Sequence, residues 1–147
     1  MAKVRGCNLP DELLYDVQNQ IWFQELGDGN VKVGMTSVAT AMAGRLVAFT
    51  PKGVGKDVKA GKSCATIESG KWVGPAKVAC GGTVVQINES LVASPALAND
   101  DPYGNGWLMI LRPENWAAVK PTLVRGSEVA APYEAKMVAD GFAGCAP

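Results

Sequence analysis

Short apolar runs, each closed by a glycine, a proline or an Asn/Asp turn, succeed one another along most of the chain. This is the punctuation of a mainly β domain with tight turns. From Tyr15 to Leu26 the pattern alternates roughly, with Val17, Ile21 and Phe23 on one parity. Gly27-Asp28-Gly29-Asn30 then predicts a hairpin turn, and Val31-Lys32-Val33 the return strand. Thr36 or Ser37 is placed to cap a short helix through Ala43, which Gly44 stops. Leu46-Val47-Ala48-Phe49 reads as a strand, Gly53 to Asp57 as a turn, and Val58 as a new start. Ser63 to Glu68 and Val73 to Ala79 read as paired strands across the tight turn Ser69-Gly70-Lys71-Trp72. Gly81-Gly82 breaks the pattern before Thr83 to Ile87, a strongly β-branched strand. Leu91 to Ala98 suits a short helix, which Pro95 interrupts unless it lies in the first turn. Asn99 to Gly104 is a dense turn cluster, and Trp107 to Leu111 is one more strand. Beyond Pro113, Pro121, Gly126 and Pro132 break the chain; Tyr133 to Ala139 is expected to be a terminal helix, and Gly141 to Pro147 loose. No strong repeat is visible. The strand count favours a compact sandwich or barrel.

Composition removes more functions than it suggests. At 147 residues and nearly half apolar, the chain can build one domain with a real core. Fourteen basic and 14 acidic residues balance, so nothing marks a nucleic-acid or anionic-membrane partner. No apolar stretch near the first residues reads as a signal peptide and no run suits a membrane span, so a cytoplasmic protein is expected. Histidine is absent, which excludes Ser-His-Asp and Cys-His nucleophiles and His-based zinc sites within the chain. Cys7, Cys64, Cys80 and Cys145 are far apart and form no Cys-x-x-Cys pair, so neither a metal cluster nor a disulfide framework is signalled. An independent enzyme is not expected.

What remains is a lysine offered at a turn. Glu68-Ser69-Gly70-Lys71-Trp72 presents Lys71 at a hairpin tip, the placement that enzymatic acylation of an amine requires, because a ligase must surround the amine while the carrier stays folded. A lysine amine is overwhelmingly protonated near neutrality, so the ligase supplies the base and the carrier need supply only exposure. Glu68 is a candidate for orienting the turn or pairing with the ligase. Lys77 is the near competitor, but it falls within the predicted strand.

Four ordered motifs resemble the glycine-cleavage H proteins. They are Gly27 to Thr36, an early hairpin; Val58-Lys59-Ala60-Gly61 with Ile67 to Lys71; Gly82 to Leu91; and Asn99-Asp100-Asp101-Pro102-Tyr103-Gly104-Asn105-Gly106-Trp107-Leu108. The resemblance runs from about Leu9 to Pro113, with a weaker tail. It implies a barrel-sandwich hybrid of the lipoyl/biotinyl type with short helices, one of them C-terminal. A single domain over residues 1–147 is expected, with its core at about 9–113 and an extension over 114–147. It also implies a lipoyl group amide-linked to Lys71, with Glu68, Ser69, Gly70 and Trp72 forming the attachment hairpin, and a lipoate ligase as partner. Biotin carriers usually flank their lysine with methionines; here the neighbours are Gly70 and Trp72, so lipoate is preferred.

The chain also departs from that family's pattern. Asn19-Gln20-Ile21-Trp22 stands where a His-Glu-Trp element is usual, and Trp72-Val73-Gly74-Pro75 replaces small and acidic residues after the lysine. This stretch is similar to a branch of lipoate-binding proteins tied to heterodisulfide-reductase-like sulfur oxidation. That branch implies a carrier of sulfur intermediates, with a heterodisulfide-reductase-like complex and sulfur transferases as partners. The alternative is a glycine-cleavage H protein carrying an aminomethyl group between glycine decarboxylase and an aminomethyltransferase; a non-lipoylated interaction module on the same fold is a third reading. Around the arm, Trp72 either shields it or folds back onto the hairpin. Cys64 and Cys80 lie in strands on either side of the hairpin and either exchange with the arm or pack as small hydrophobes. Tyr103 and Trp107 are expected to pack, and Gly104 and Gly106 to serve a turn.

Overall fold

A computed structural model describes residues 1–145. In chain order its elements begin with β1 (Ala2–Val4), β2 (Cys7–Leu9), β3 (Leu14–Asp16), β4 (Ile21–Glu25), β5 (Val31–Met35) and helix α1 (Ser37–Ala43). Next come β6 (Leu46–Pro51), β7 (Asp57–Val58), β8 (Lys62–Ser69), β9 (Val73–Val78) and β10 (Gly82–Ile87). Helices α2 (Glu89–Ala93) and α3 (Leu97–Asp100), strand β11 (Met109–Pro113), helix α4 (Trp116–Val119), strand β12 (Val124–Arg125) and helix α5 (Ala130–Asp140) complete the chain. Three antiparallel sheets result: the β1–β2 hairpin, a seven-stranded sheet in the order β12-β3-β4-β5-β11-β10-β7, and a three-stranded sheet β6-β8-β9. The expected sandwich-like, mainly β architecture with a C-terminal helix is the one found, although neither large sheet closes on itself.

The side-chain period of two explains how one strand serves two cores. On β4, Ile21 and Phe23 face the main cluster, where they meet Val31, Val33, Phe49 and Ile67 from both large sheets. Trp22, between them, faces a second cluster with Leu9, Tyr15, Val38, Tyr133 and Met137, roofed by β1–β2 and α5. Trp22 needs the bare backbone of Gly34 beside it, since a Cβ there would lie 2.4 Å from the indole. Its Nε1 donates to the Pro102 carbonyl at 3.0 Å. The Asp101-to-Gly106 turn is thus structural: the Asp101 carboxylate accepts from the Asn105 backbone N–H at 2.7 Å, and a Cβ on Gly104 would lie 2.4 Å from that carboxylate. The Tyr103 hydroxyl donates to the Asn8 carbonyl at 2.6 Å and accepts from the Ser37 N–H at 2.9 Å.

Several expectations need correction. The run from Tyr15 to Leu26 is a hairpin, not one strand, because the Asp16 carboxylate accepts the Asn19 N–H at 3.1 Å and Gln20 turns with φ 60°. Pro95 divides the helix expected over Leu91 to Ala98 into α2 and α3. Burial extends beyond residues 9–113: Val4, Cys7, Val129, Tyr133 and Met137 are all buried, and β12 pairs with β3. The tail is not loose as far as Cys145. Cys7 and Cys145 form a disulfide across 138 residues of sequence, Phe142 packs on the second cluster, and the Cys145 N–H donates to the Arg5 carbonyl. No spacing motif announces a bond between segments that only the finished fold brings together. The remaining two residues of the segment expected to be loose, 146 and 147, lie outside the described residues. No helix among the described residues is long and apolar enough to cross a membrane.

Candidate functional site

Strands β8 and β9 pair from Lys62↔Val78 to Glu68↔Val73, which leaves Ser69 to Trp72 as the turn. Ser69 closes that turn, its N–H donating to the Trp72 carbonyl at 2.8 Å. Lys71 stands exposed beyond it, where sequence reasoning expected it. Lys77 is also exposed, but it lies within β9. Glu68 faces solvent and joins no ion pair among the described residues. The turn is oriented instead by Ser69, which is buried. Its Oγ donates to the Ala43 carbonyl at 2.6 Å and accepts from the Lys71 N–H at 3.3 Å. Ala43 ends α1, so its carbonyl has no partner within that helix and the serine supplies one.

Helix α1 therefore fixes the hairpin, and its own ends are well made. The Thr36 hydroxyl caps it by accepting from the Ala39 N–H at 3.2 Å. Gly44 terminates it at φ 88°, ψ −179°, a conformation open in practice to glycine alone. The Lys71 side chain lies along this glycine: a Cβ on Gly44 would sit 3.1 Å from Lys71 Cε. Asn99, at first sight one more member of a turn cluster, locks the same corner. Its Oδ1 accepts from the Leu46 N–H at 2.9 Å, while its Nδ2 donates to the Gly44 carbonyl at 3.0 Å and the Thr40 carbonyl at 3.3 Å. Nothing local in the sequence separates Asn99 from Asp100 and Asp101, so its role as the clamp behind the lysine seat is a finding of the fold.

Beside the lysine opens a groove of about 440 Å³, walled mainly by Ile21, Met35, Ala39, Met42, Ile67 and Trp72. Trp72 folds back onto the hairpin. Its ring covers Gly74, where a Cβ would lie 2.2 Å from the indole, and it also lines the groove while 40% exposed. Pro75 lines the wall, and Val73 stays exposed. Gln20 is among the residues along the groove, and its carboxamide oxygen is buried without a hydrogen-bond partner.

These residues fit a lipoyl group: an accessible amine on a fixed turn, a glycine seat for the lysine stem, and an apolar groove beside it for a hydrocarbon arm. Cys64 and Cys80 do not join this site. Both are free and fully buried, and burial pushes their thiols up to about 12 and about 11. Neither supplies appreciable thiolate for exchange near neutrality. Among the described residues no cluster of His, Cys, Asp and Glu is placed to hold a metal.

Comparison with known proteins bears on the same reading. The model of the family described as "Glycine cleavage H-protein" matches residues 13–136. The chain is 53% identical over 134 residues to glycine cleavage system H protein 5 of Aquifex aeolicus, covering 88% of this chain and 90% of that one. It is 46% identical over 128 residues to H protein 2 of the same organism, covering 87% and 80%. The crystal structure of a glycine cleavage system H protein from Mycobacterium marinum superposes with a TM-score of 0.73 at 32% identity, covering 90% of this chain and 99% of that one.

Proposed function

The chain belongs to the glycine cleavage H-protein family, whose members are lipoyl carriers rather than catalysts, and on that footing we propose that its lipoate is attached at Lys71. The observation that carries this reading is the seat of Lys71: exposed at the hairpin tip, braced through Ser69 to the end of α1, and laid along Gly44 above an apolar groove. When bound, lipoate supplies a cyclic disulfide that opens to a dithiol and thereby accepts and releases a transferred group. The chain's own part is presentation. Ser69 holds the turn so that a ligase meets one geometry of the amine. Gly44 and Asn99 keep the lysine stem against α1. Trp72 and the α1 face exclude water from one side of the arm. Tethering keeps the transferred group at high effective concentration for successive partners.

For the cargo, the names of the relatives favour the aminomethyl group of glycine cleavage, with glycine decarboxylase and an aminomethyltransferase as partners. A second reading, transfer of sulfur intermediates to a heterodisulfide-reductase-like complex and sulfur transferases, is favoured by one feature of the groove. Trp72 and Pro75 line it where the family pattern has small and acidic residues, Ile21 lines it beside them, and an amine cargo has few polar partners there. Two similar proteins of one organism bear different numbers, and duplicated carriers leave room for a second cargo.

Complementation separates the two readings. The lipoylated protein is expressed in a strain lacking its H protein, with glycine as the sole source of one-carbon units. Growth that Lys71→Arg abolishes supports the glycine-cleavage role. Failure with lipoylation verified by mass, together with loss of thiosulfate oxidation when the gene is deleted in its own host, supports the sulfur role.

A further inference from the structure

We propose that the outer face of the β6-β8-β9 sheet beside the hairpin tip is a docking surface for the lipoate ligase, with Val47 and Val73 as its apolar contacts. The proposal rests on the carrier reading above.

Of the seven large apolar side chains that stay exposed among the described residues, Val47, Trp72 and Val73 lie at this one corner, and the two valines are 59% and 62% exposed. Apolar side chains scattered singly over a surface are ordinary, whereas a group around one feature marks a contact. The strand register puts both valines on the outer face. On β8, Glu68 faces solvent between buried Ile67 and buried Ser69. It pairs with Val73 on one side and with Ala48 on the other, and directly paired residues project from the same face of a sheet. The register shifts between Leu46 and Ala48, and exposed Val47 is the residue that this bulge inserts. Trp72 is turned the other way, its ring over Gly74, which pairs with buried Ile67. The outer face at the tip therefore ends in two valines astride Glu68.

The occupant follows from how far each partner must reach. An enzyme that uses the finished arm meets its far end, away from the hairpin. The ligase must bring the lysine amine itself to the acyl carbon, where the amine displaces AMP from the acyl adenylate and gives up a proton. A protein that encloses Lys71 this closely meets the strands that carry it, Val73 being two residues along the chain. Both valines are left over by the fold, since neither packs into a core cluster.

The test is the steady-state rate of lipoylation by a purified lipoate ligase, with ATP and lipoate in excess and the concentration of the unmodified protein varied. Product is read by intact mass and placed on Lys71 by peptide mapping. The double variant Val47→Asp/Val73→Asp should raise KM for the carrier about tenfold, the worth of losing valine-sized apolar contacts, with kcat within about twofold of the parent because Ser69 and Gly44 still seat the lysine. Val47→Thr/Val73→Thr, which keeps the β-branched shape suited to a strand, should raise KM about threefold or more. It decides the matter if the aspartates impair folding. Val138→Asp, on α5 and also 62% exposed, should keep the parent KM. A parent-like KM in the folded double variants, or a fall in kcat alone, overturns the docking surface and leaves the carrier reading intact. A parent protein with no adduct on Lys71 overturns the carrier reading and the proposal with it.

Discussion

Replacing Ser69 by alanine removes the tie between the hairpin tip and helix α1. The Ser69 Oγ–Ala43 carbonyl bond of 2.6 Å is lost, as is the 3.3 Å bond from the Lys71 N–H. Lys71 is exposed, so water replaces the second bond at little cost. Ala43 is buried, and its carbonyl has no helical partner to fall back on. Losing a partner for a buried acceptor costs about 1–3 kcal/mol. At roughly 2–4 °C per kcal/mol for a chain of this size, melting should fall by on the order of 2–12 °C. The functional effect is separate: below the melting range, Ser69→Ala should be lipoylated more slowly than the parent by the same ligase, because the tip no longer holds one geometry. Ser63→Ala, which loses a bond of 2.8 Å within its own strand, serves as the control and should leave the lipoylation rate unchanged. A Ser69→Ala protein within about 0.5 kcal/mol of the parent, lipoylated at the parent rate, would refute the idea that α1 sets the tip.

Other outcomes follow from the same structure. Gly44→Ala forces a side chain into a glycine-only conformation and against the Lys71 stem at 3.1 Å; a loss of roughly 1–3 kcal/mol is expected in denaturant unfolding, and an unchanged midpoint would contradict the assigned backbone. Breaking the Cys7–Cys145 bond by Cys7→Ser should cost on the order of 2–5 kcal/mol; equal melting of the oxidised parent and the variant would show that the bond does not hold the tail. The Cys64 and Cys80 thiols should resist alkylation in the native protein at pH 8 and both react once it is unfolded without reductant. Burial raises their pKa values from 9.0 to about 12 and about 11, so their contribution to stability is whole below about pH 9 and is lost as pH rises toward those values. A stability profile flat from pH 8 to 11 would argue against that burial.

The elements that local chemistry dictates were legible in the chain. Thr36 and Gly44 bound α1 as a capping residue and a stop should, and the lysine hairpin is where paired apolar runs across a tight turn require it. What local chemistry does not encode was not legible. Cys7 and Cys145 meet because α5 and the β1–β2 hairpin pack on one cluster, a fact of tertiary structure. Asn99 looks like a turn residue until Gly44 and Leu46 arrive beside it. Gln20 drew notice only for standing where another residue is usual, and the burial of its unpaired oxygen is a fact of the packed fold, in which its amide meets Met42. Pro95 carried its own warning, and the chain obeyed it.

The central claim is that Lys71 is the single point of lipoyl attachment, and the most direct measurement is mass. After expression with a lipoate ligase, the intact protein should gain one lipoyl group, peptide mapping should find it on Lys71, and Lys71→Arg should remain unmodified while melting like the parent. An adduct that survives in Lys71→Arg, or that maps to Lys77, would contradict the account.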